Sequence, residues 1–294
     1  MPIDASPPVH GDDAGLKEKT HPVPRVVIRP SAGWTPLDLA GLWRARELLY
    51  FLVWRDVKVR YKQTLLGMLW AVLQPLLVMI VFTVIFGHFA RLPSDGVPYA
   101  LFVYCALVPW TFFAQALSQS ANSLVDSSYL ISKVSFPRLV IPLAAAFGAA
   151  IDSAVTLVLL FALLVIYGIR PTPALIALPA FLALALVAAV AAGVWLAALN
   201  VRYRDVRYTI PFLIQLWFYV TPIAYPAGLI TGPWRVALAL NPLTGIVEGC
   251  RWALIGTGAL DGLALALSIG ISLPVLVAGL YHFRRVERRF ADLV

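Results

Sequence analysis

The chain has 294 residues, of which 61% are hydrophobic and only 13% are charged. Soluble domains are about 45–50% apolar and about 25% charged, so this composition excludes an ordinary soluble enzyme. The 23 Lys and Arg residues against 15 Asp and Glu give a net charge of +8, but a nucleic-acid-binding domain would not need so much apolar surface. The composition predicts an integral membrane protein.

The first 34 residues differ from the rest of the chain. They are polar, contain six prolines and lack the continuous apolar stretch of a secretory signal. We expect residues 1–34 to form a disordered cytoplasmic tail, residues 35–64 to form an interface-helix region, and residues 65–294 to form the membrane domain with a cytoplasmic C-terminal tail.

A helix is predicted to begin at Thr35-Pro36-Leu37-Asp38, because Thr is a good cap and Pro suits the first turn. Between positions 47 and 62, apolar residues at i, i+3, i+4, i+7 and i+11 share one face. These are Tyr50, Val53, Trp54, Val57 and Tyr61. Cations form a neighbouring stripe, which favours an amphipathic helix in the headgroup region of the inner leaflet. The alternative is a soluble helix packed on another domain.

Membrane-spanning helices need about 20 mainly apolar residues. Five stretches meet or nearly meet this length, at residues 67–90, 99–121, 139–168, 174–199 and 262–283. A sixth, 209–225, is shorter and is interrupted by Pro211 and Pro222. The fold class predicted is therefore an all-α membrane protein with six transmembrane helices.

The basic residues predict the orientation of these spans. With the N-terminus inside, 19 of the 23 Lys and Arg residues lie in cytoplasmic segments and only Arg91, Arg170, Arg235 and Arg251 lie outside. Such an asymmetry is typical of a six-span protein with both termini in the cytoplasm.

Residues 226–258 are predicted to form a re-entrant hairpin on the outer face. Its two apolar stretches, 234–240 and 246–255, are each too short to cross a bilayer, and Asn241-Pro242 separates them. A seventh span here would put Arg284 and the following arginines outside, against the charge asymmetry. The alternative is an interfacial loop.

The sequence lacks the residue patterns of several kinds of enzyme. It contains no GxxxxGK[ST] phosphate-binding loop and no HExxH zinc motif. Asp152 is a prominent acid within a span; interhelical hydrogen bonding is the favoured role and proton coupling the alternative. Cys105 and Cys250 are predicted to be packing residues, with a disulfide as the alternative. We expect a non-enzymatic chain without a cofactor or metal of its own.

Uncharged polar and aromatic residues concentrate in the first, second and fifth spans. Amides and aromatic rings suit a path for sugars, whose C–H faces pack on rings while their hydroxyls form hydrogen bonds. The alternative is an aromatic belt at the lipid interface. The amides are Gln74, Gln115 and Gln215; the aromatic residues are Trp70, Phe82, Phe86, Trp110, Phe112, Phe113, Phe212, Trp217, Phe218 and Tyr219.

Several stretches in order resemble the membrane subunits of polysaccharide-export ABC transporters, which export O-antigen, capsule and teichoic acid chains. They read WRDVKVRYKQT at 54–64, LG at 66–67, W at 70, LQP at 73–75, SKVSFPR at 132–138, NVRYRD at 200–205 and LNPLT at 240–244. The similarity extends over roughly residues 35–290.

The resemblance implies a homodimeric permease in the bacterial inner membrane that works with two copies of a separate ATPase subunit. ATP and Mg would be bound by that partner. The substrate would be a polysaccharide on a polyprenyl diphosphate lipid, with membrane lipids around the protein and no nucleic acid involved. Our own hypothesis places the anionic head of this lipid near Arg55, Lys58 and Arg60.

The resemblance also assigns candidate site residues in four groups. The ATPase-coupling group is Asp126, Tyr129, Lys133, Phe136 and Arg138. The interface-helix group is Trp54, Arg55, Lys58, Arg60 and Lys62. The channel-lining group is Trp70, Gln74, Phe82, Phe212, Gln215, Trp217, Phe218 and Tyr219. The outer-gate group is Tyr225, Trp234 and Asn241.

Three other functions remain open from the residues. An ABC exporter for another cargo, such as a lipid or a drug, would share the same architecture. A membrane enzyme acting on polyprenyl lipids would need an acidic or metal-ligating cluster at an interface, and the sequence shows none. A secondary transporter would need several partnered ionisable groups, whereas Asp152 stands alone in the spans.

Overall fold

A computed structural model describes residues 39–62, 65–133, 136–170, 172–256 and 260–287. Several predicted features lie outside these residues: the N-terminal tail, the helix start at 35–38, motif positions 63–64 and 134–135, Arg288 and Arg289. The side chain of Lys62 is also not described. The described chain is helical and contains no strand. Its α-helices are α1 (Leu39–Arg44), α2 (Arg46–Lys62), α3 (Leu65–Phe82), α4 (Tyr99–Asp126), α5 (Ser128–Lys133), α6 (Val140–Ile166), α7 (Leu178–Arg202), α8 (Val206–Val220), α9 (Pro233–Ala239), α10 (Pro242–Ile255) and α11 (Gly262–Glu287). Shorter helical turns are a π-helix at Thr83–Phe89 and 3₁₀ turns at Pro173–Ala177 and Ala227–Leu229.

Five of the predicted spans are confirmed as helices long and apolar enough to cross a membrane. They are Val72–Phe89, Tyr99–Asp126, Val140–Ile166, Pro173–Arg202 and Gly262–Glu287. The protein is thus an all-α, multi-pass membrane protein.

The remaining predicted span, 209–225, is not a full-length helix. Helix α8 has 15 residues, which at 1.5 Å per residue is about 22 Å and falls short of a hydrocarbon core of about 30 Å. The chain leaves the helix at Thr221, whose backbone is extended with φ −85° and ψ 136°. The following Pro222 explains this, because proline disfavours the helical conformation in the residue before it.

Helix α4 forms the centre of the bundle. It packs against α6 and α7 along most of its length and also contacts α3, α8 and α10. Its first turns, including Leu101, Phe102 and Tyr104, are completely buried. Cys105 on α4 and Cys250 on α10 are both buried and free, so the packing role is confirmed and the disulfide is absent.

Charged contacts mark the two ends of the bundle. At the basic end, the Arg138 N–H donates to Glu287 Oε1 (2.8 Å) and its guanidinium donates to the Glu287 carbonyl (2.7 Å), which joins the start of α6 to the end of α11. At the opposite end, Arg235 pairs with Asp261 at 3.1 Å. Partial burial alone would raise the pKa of Asp261, but hydrogen bonds from the Ala264 N–H and from Arg235 outweigh it and hold that pKa below its ordinary value.

Helices α9 and α10 have the geometry of the predicted re-entrant hairpin. Asn241 at its tip accepts a hydrogen bond from Trp217 Nε1 (2.8 Å), and the Trp217 ring lies 4.9 Å from that of Phe113. Phe113 is near the middle of the 28-residue helix α4. Arg251, near the other end of α10, donates to the carbonyl of Phe102 close to the start of α4. The hairpin tip therefore reaches about halfway through the bundle.

Helix α2 has two apolar faces, of which the sequence analysis identified one. Leu52 is buried against Val140 and Ala144 of α6, whereas Tyr50 and Trp54 are mostly exposed. At about 100° per residue, Tyr50 and Trp54 lie roughly 160° from Leu52, on the opposite side of the helix. Tyr50 and Trp54 of the predicted face are thus mostly exposed, whereas Val53 of that face packs with the leucines that attach α2 to α6.

Candidate functional site

An exposed aromatic and amide surface runs along α3 and α8. Trp70 on α3 is 59% exposed, and on α8 Phe212 is 59% and Tyr219 is 66% exposed. Gln74 and Gln215 are also exposed. The α8 residues follow i, i+3 and i+7, so they share one helix face. We call these five residues the aromatic–amide surface.

The other three predicted channel-lining residues, Phe82, Trp217 and Phe218, are packed between helices instead. Phe218 lies 5.7 Å from Phe82 of α3 and 5.4 Å from Trp110 of α4, measured between ring centroids. The sequence prediction placed them beside the others because they share the same segments. The structure shows that they join α8 to α3 and α4, and a direct lining role for them stays a prediction.

Asn241 connects α8 to the hairpin through two hydrogen bonds and caps α10 with a third. Its Oδ1 accepts from Trp217 Nε1 (2.8 Å) and from the Leu243 N–H (3.0 Å), and its Nδ2 donates to Thr221 Oγ1 (3.0 Å). The bond from Leu243 makes Asn241 the cap of α10. Because Trp217 packs on Phe113 near the middle of α4, Asn241 lies at mid-depth in the bundle, at the tip of the hairpin.

Arg251 holds the non-helical segment after α8 in place. Its guanidinium is 2% exposed, donates to the carbonyls of Ile223 (2.6 Å) and Tyr225 (3.4 Å), and pairs with Glu248 at 2.9 Å. The Tyr99 hydroxyl donates to the carbonyl of Ala224. Side chains therefore satisfy three consecutive carbonyls, as non-helical backbone at membrane depth requires. Sequence analysis counted Arg251 only as an outer loop cation; its position inside an apolar run was the available signal.

The three predicted outer-gate residues do not form one cluster. Trp234 at the start of α9 is 75% exposed, and the Tyr225 carbonyl is bound by Arg251. Asn241 lies at the buried tip. The structure therefore spreads these residues along the hairpin and the segment leading to it.

The predicted coupling residues divide into an exposed pair and an internal pair at the basic end. Tyr129 is mostly exposed, and Lys133 Nζ donates to its hydroxyl at 2.7 Å. Phe136 packs against the core, and Arg138 binds the end of α11. Asp126, at the end of α4, contacts a different element: it pairs with Arg207 at the base of α8 at 3.3 Å.

Two of the interface-helix cations are paired within the chain. Arg60 forms an ion pair with Asp152 of α6, and Arg55 pairs with Asp56 at 2.7 Å. Trp54 and Lys58 are exposed. The pairing shows Asp152 in an interhelical contact, and it makes Arg55 and Arg60 poorer partners for an anionic lipid head than the hypothesis assumed.

A cavity of about 450 Å³ lies between α2, α4 and α6. Its charged lining residues are Arg55, Arg60, Asp56 and Asp126. These two cations and two carboxylates balance, so the cavity has no excess charge to select an anion.

Comparison with known proteins identifies the family of this architecture. Residues 47–255 match the family described as "ABC-2 type transporter". The chain is 30% identical over 255 residues to the O-antigen export system permease protein RfbA of Myxococcus xanthus, covering 86% of this chain and 97% of that protein. It is 28% identical to the RfbA protein of Klebsiella pneumoniae, covering 84% and 95%. It is 22% identical to the polysialic acid transport protein KpsM of Escherichia coli, covering 79% and 91%.

Proposed function

The chain belongs to the ABC-2 type transporter family, and from this premise we propose that two copies of it form the channel through which a lipid-linked polysaccharide crosses the bacterial inner membrane. It is the permease subunit of a polysaccharide ABC exporter, as the relatives named for O-antigen export and polysialic acid transport support. The observation that carries the channel proposal is the aromatic–amide surface, which the described bundle does not cover.

The amides on this surface favour a partner other than lipid. Gln74 and Gln215 are exposed on helices of the membrane domain, and an amide left in hydrocarbon without a hydrogen bond costs several kcal/mol. A second copy of the chain would enclose these amides in a polar path between two bundles. The exposed rings of Trp70, Phe212 and Tyr219 would then pack on sugar faces.

A separate ATPase subunit, two copies per dimer, supplies the energy in this proposal and binds ATP and Mg. The exposed residues Tyr129 and Lys133 at the basic end are available to contact it. Asp126 then carries the movement to α8 through its ion pair with Arg207. Since α8 contributes part of the aromatic–amide surface, ATPase motion would reach the channel wall through this contact.

The basic end faces the cytoplasm in this proposal, with both termini on that side. The charge asymmetry of the sequence supports this orientation. The hairpin of α9 and α10 then enters from the outer side and closes the path at mid-depth.

Another cargo, a lipid or a drug, is the competing proposal. An aromatic–amide surface favours a sugar chain over an apolar compound, because amides would be unpaired against a wholly apolar cargo. The relatives named for O-antigen export and polysialic acid transport point the same way.

The proposal is tested by co-expressing the chain with the ATPase subunit encoded beside it and measuring ATP-dependent polysaccharide export. We expect Phe212→Ala and Tyr219→Ala to lower export while ATP hydrolysis by the complex continues. Phe161→Ala is the matched control, because Phe161 is 38% exposed on α6, away from the aromatic–amide surface. Normal export by both α8 variants would contradict the channel assignment, and ATP hydrolysis by the chain alone would contradict the division of labour.

A further inference from the structure

A narrow apolar groove opens on the side of the bundle formed by α6, α7 and α11. It has a volume of about 240 Å³. Apolar side chains provide most of its lining, among them Leu143, Phe147, Val187, Val190, Leu276 and Leu280. Unlike the aromatic–amide surface, this groove has no amide or hydroxyl side chain in its lining.

The groove extends from the basic end of the bundle towards its middle. Leu139 and Phe147 line it on α6, and Leu276 and Arg284 line it on α11. Each pair is separated by eight residues, which corresponds to about 12 Å along a helix. This is close to the depth of one leaflet of a hydrocarbon core about 30 Å thick. A slot between helices of this length accommodates an extended hydrocarbon chain, whereas a helix of a second copy is 10–12 Å across and would not enter it.

The rim of the groove at the basic end carries positive charge. Among the described residues that flank it, 137–140 and 284–287, there are three arginines and one glutamate: Arg138, Arg284, Arg285 and Glu287. Glu287 accepts hydrogen bonds from both Arg138 and Arg284. Arg284 is the one of these four residues that lines the groove. Because Glu287 offsets one positive charge, the four residues together carry a net charge of +2 at this end of the bundle.

We propose that this groove binds an anionic glycerophospholipid of the inner leaflet, with one acyl chain in the slot and the phosphate at the arginine rim. Basic pockets between transmembrane helices on the cytoplasmic side are suited to such head groups. The apolar lining suits the acyl chain and offers nothing to a sugar. The lipid would pack α6, α7 and α11 together on the side away from the aromatic–amide surface, and this does not depend on the cargo proposed above.

The test compares lipid retention by variants of the full chain purified with its ATPase subunit. Complexes are reconstituted in nanodiscs of equal phosphatidylglycerol and phosphatidylcholine, extracted in mild detergent, and analysed for bound lipid by native mass spectrometry. We expect wild type to retain phosphatidylglycerol preferentially. Arg284→Gln should lower that retention about fivefold, the effect of one arginine near an anionic lipid. Val187→Phe should lower retention of both lipids by filling the slot.

Two matched variants control for general damage. Arg170→Gln removes a charge in the connection between α6 and α7 at the opposite end, and Val277→Phe adds the same ring to an exposed position of α11 outside the groove lining. Both should retain phosphatidylglycerol like wild type. The proposal is overturned if Arg284→Gln and Val187→Phe retain as much phosphatidylglycerol as wild type. It is also overturned if wild type does not prefer phosphatidylglycerol to phosphatidylcholine, or if added polyprenyl phosphate replaces the phospholipid at equal concentration.

Discussion

The hydrogen bonds of Asn241 predict a measurable energetic coupling between α8 and the hairpin. Asn241→Ala removes the cap of α10 and two contacts with α8, those to Trp217 Nε1 and Thr221 Oγ1. Loss of a helix cap costs about 1 kcal/mol, and an inter-helix hydrogen bond in a membrane protein contributes about 0.6 kcal/mol on average. We therefore expect Asn241→Ala to lower the free energy of unfolding by about 2 kcal/mol.

The assay is reversible unfolding by SDS in mixed micelles, arranged as a double-mutant cycle with Trp217→Phe. The phenylalanine keeps a ring beside Phe113 but has no N–H to donate. We expect Asn241→Ala to cost about 0.6 kcal/mol less in the Trp217→Phe background than in wild type. Asn241→Ser serves as the comparison variant, because serine retains capping ability but is too short to bridge to α8, so it should cost about half as much as alanine.

Two results would refute this reasoning. Strict additivity of Asn241→Ala and Trp217→Phe would mean that the 2.8 Å contact carries no coupling. A serine variant as unstable as the alanine variant would mean that the cap contributes nothing.

Three further predictions use the same unfolding assay. Arg251→Lys should lower the free energy of unfolding by about 3 kcal/mol, because an ammonium cannot replace a buried guanidinium that binds Glu248 and three carbonyls. The exposed Arg235→Lys is its control, and equal effects of the two substitutions would contradict the role given to these hydrogen bonds. Gly279→Ala should lower the free energy of unfolding by about 1–3 kcal/mol, because a Cβ at this position would lie 2.6 Å from the Trp195 ring. Gly270→Ala on the same helix is the control, since a Cβ there has open space and should leave stability unchanged or raise it. Asp261→Asn should lower stability at neutral pH. The pKa of Asp261 in the folded protein is below its ordinary value of 3.8. The ionised carboxylate therefore stabilises the fold at pH values above about 3.8, and this stabilisation is lost as the pH falls through the pKa of the folded state. The difference between wild type and Asp261→Asn should therefore shrink on acidification, and a gap that stays constant down to pH 2 would refute it.

Long apolar segments were predictable because composition alone determines which stretches are stable in lipid. Five spans follow from length and hydropathy. The hairpin was predictable for the same reason, since its two apolar stretches are too short to cross. The break of α8 was less predictable: Pro222 indicated it, but the depth at which the helix ends depends on Arg251 and Asn241, which follow it in the sequence.

The faces of the helices were predicted less well than their positions. Phe212 and Phe218 lie on one short helix and are both aromatic, yet one is exposed and the other packs on Trp110. Periodicity cannot say which side of an apolar helix meets a neighbour when every side is apolar. The pairing of Arg60 with Asp152 was unpredictable for another reason, since it joins residues 92 positions apart.

The non-helical segment after α8 has a consequence for the order in which the chain enters the membrane. The carbonyls of Ile223 and Tyr225 depend on Arg251, which the ribosome adds more than 20 residues later. At 5–20 residues per second, this leaves roughly 1–5 s in which α8 has been made but these two carbonyls lack Arg251. We therefore expect α8 and the hairpin to be inserted into the membrane together as one unit. In a nascent chain that ends just after Pro226, α8 would then remain accessible from the side of the membrane on which it was synthesised.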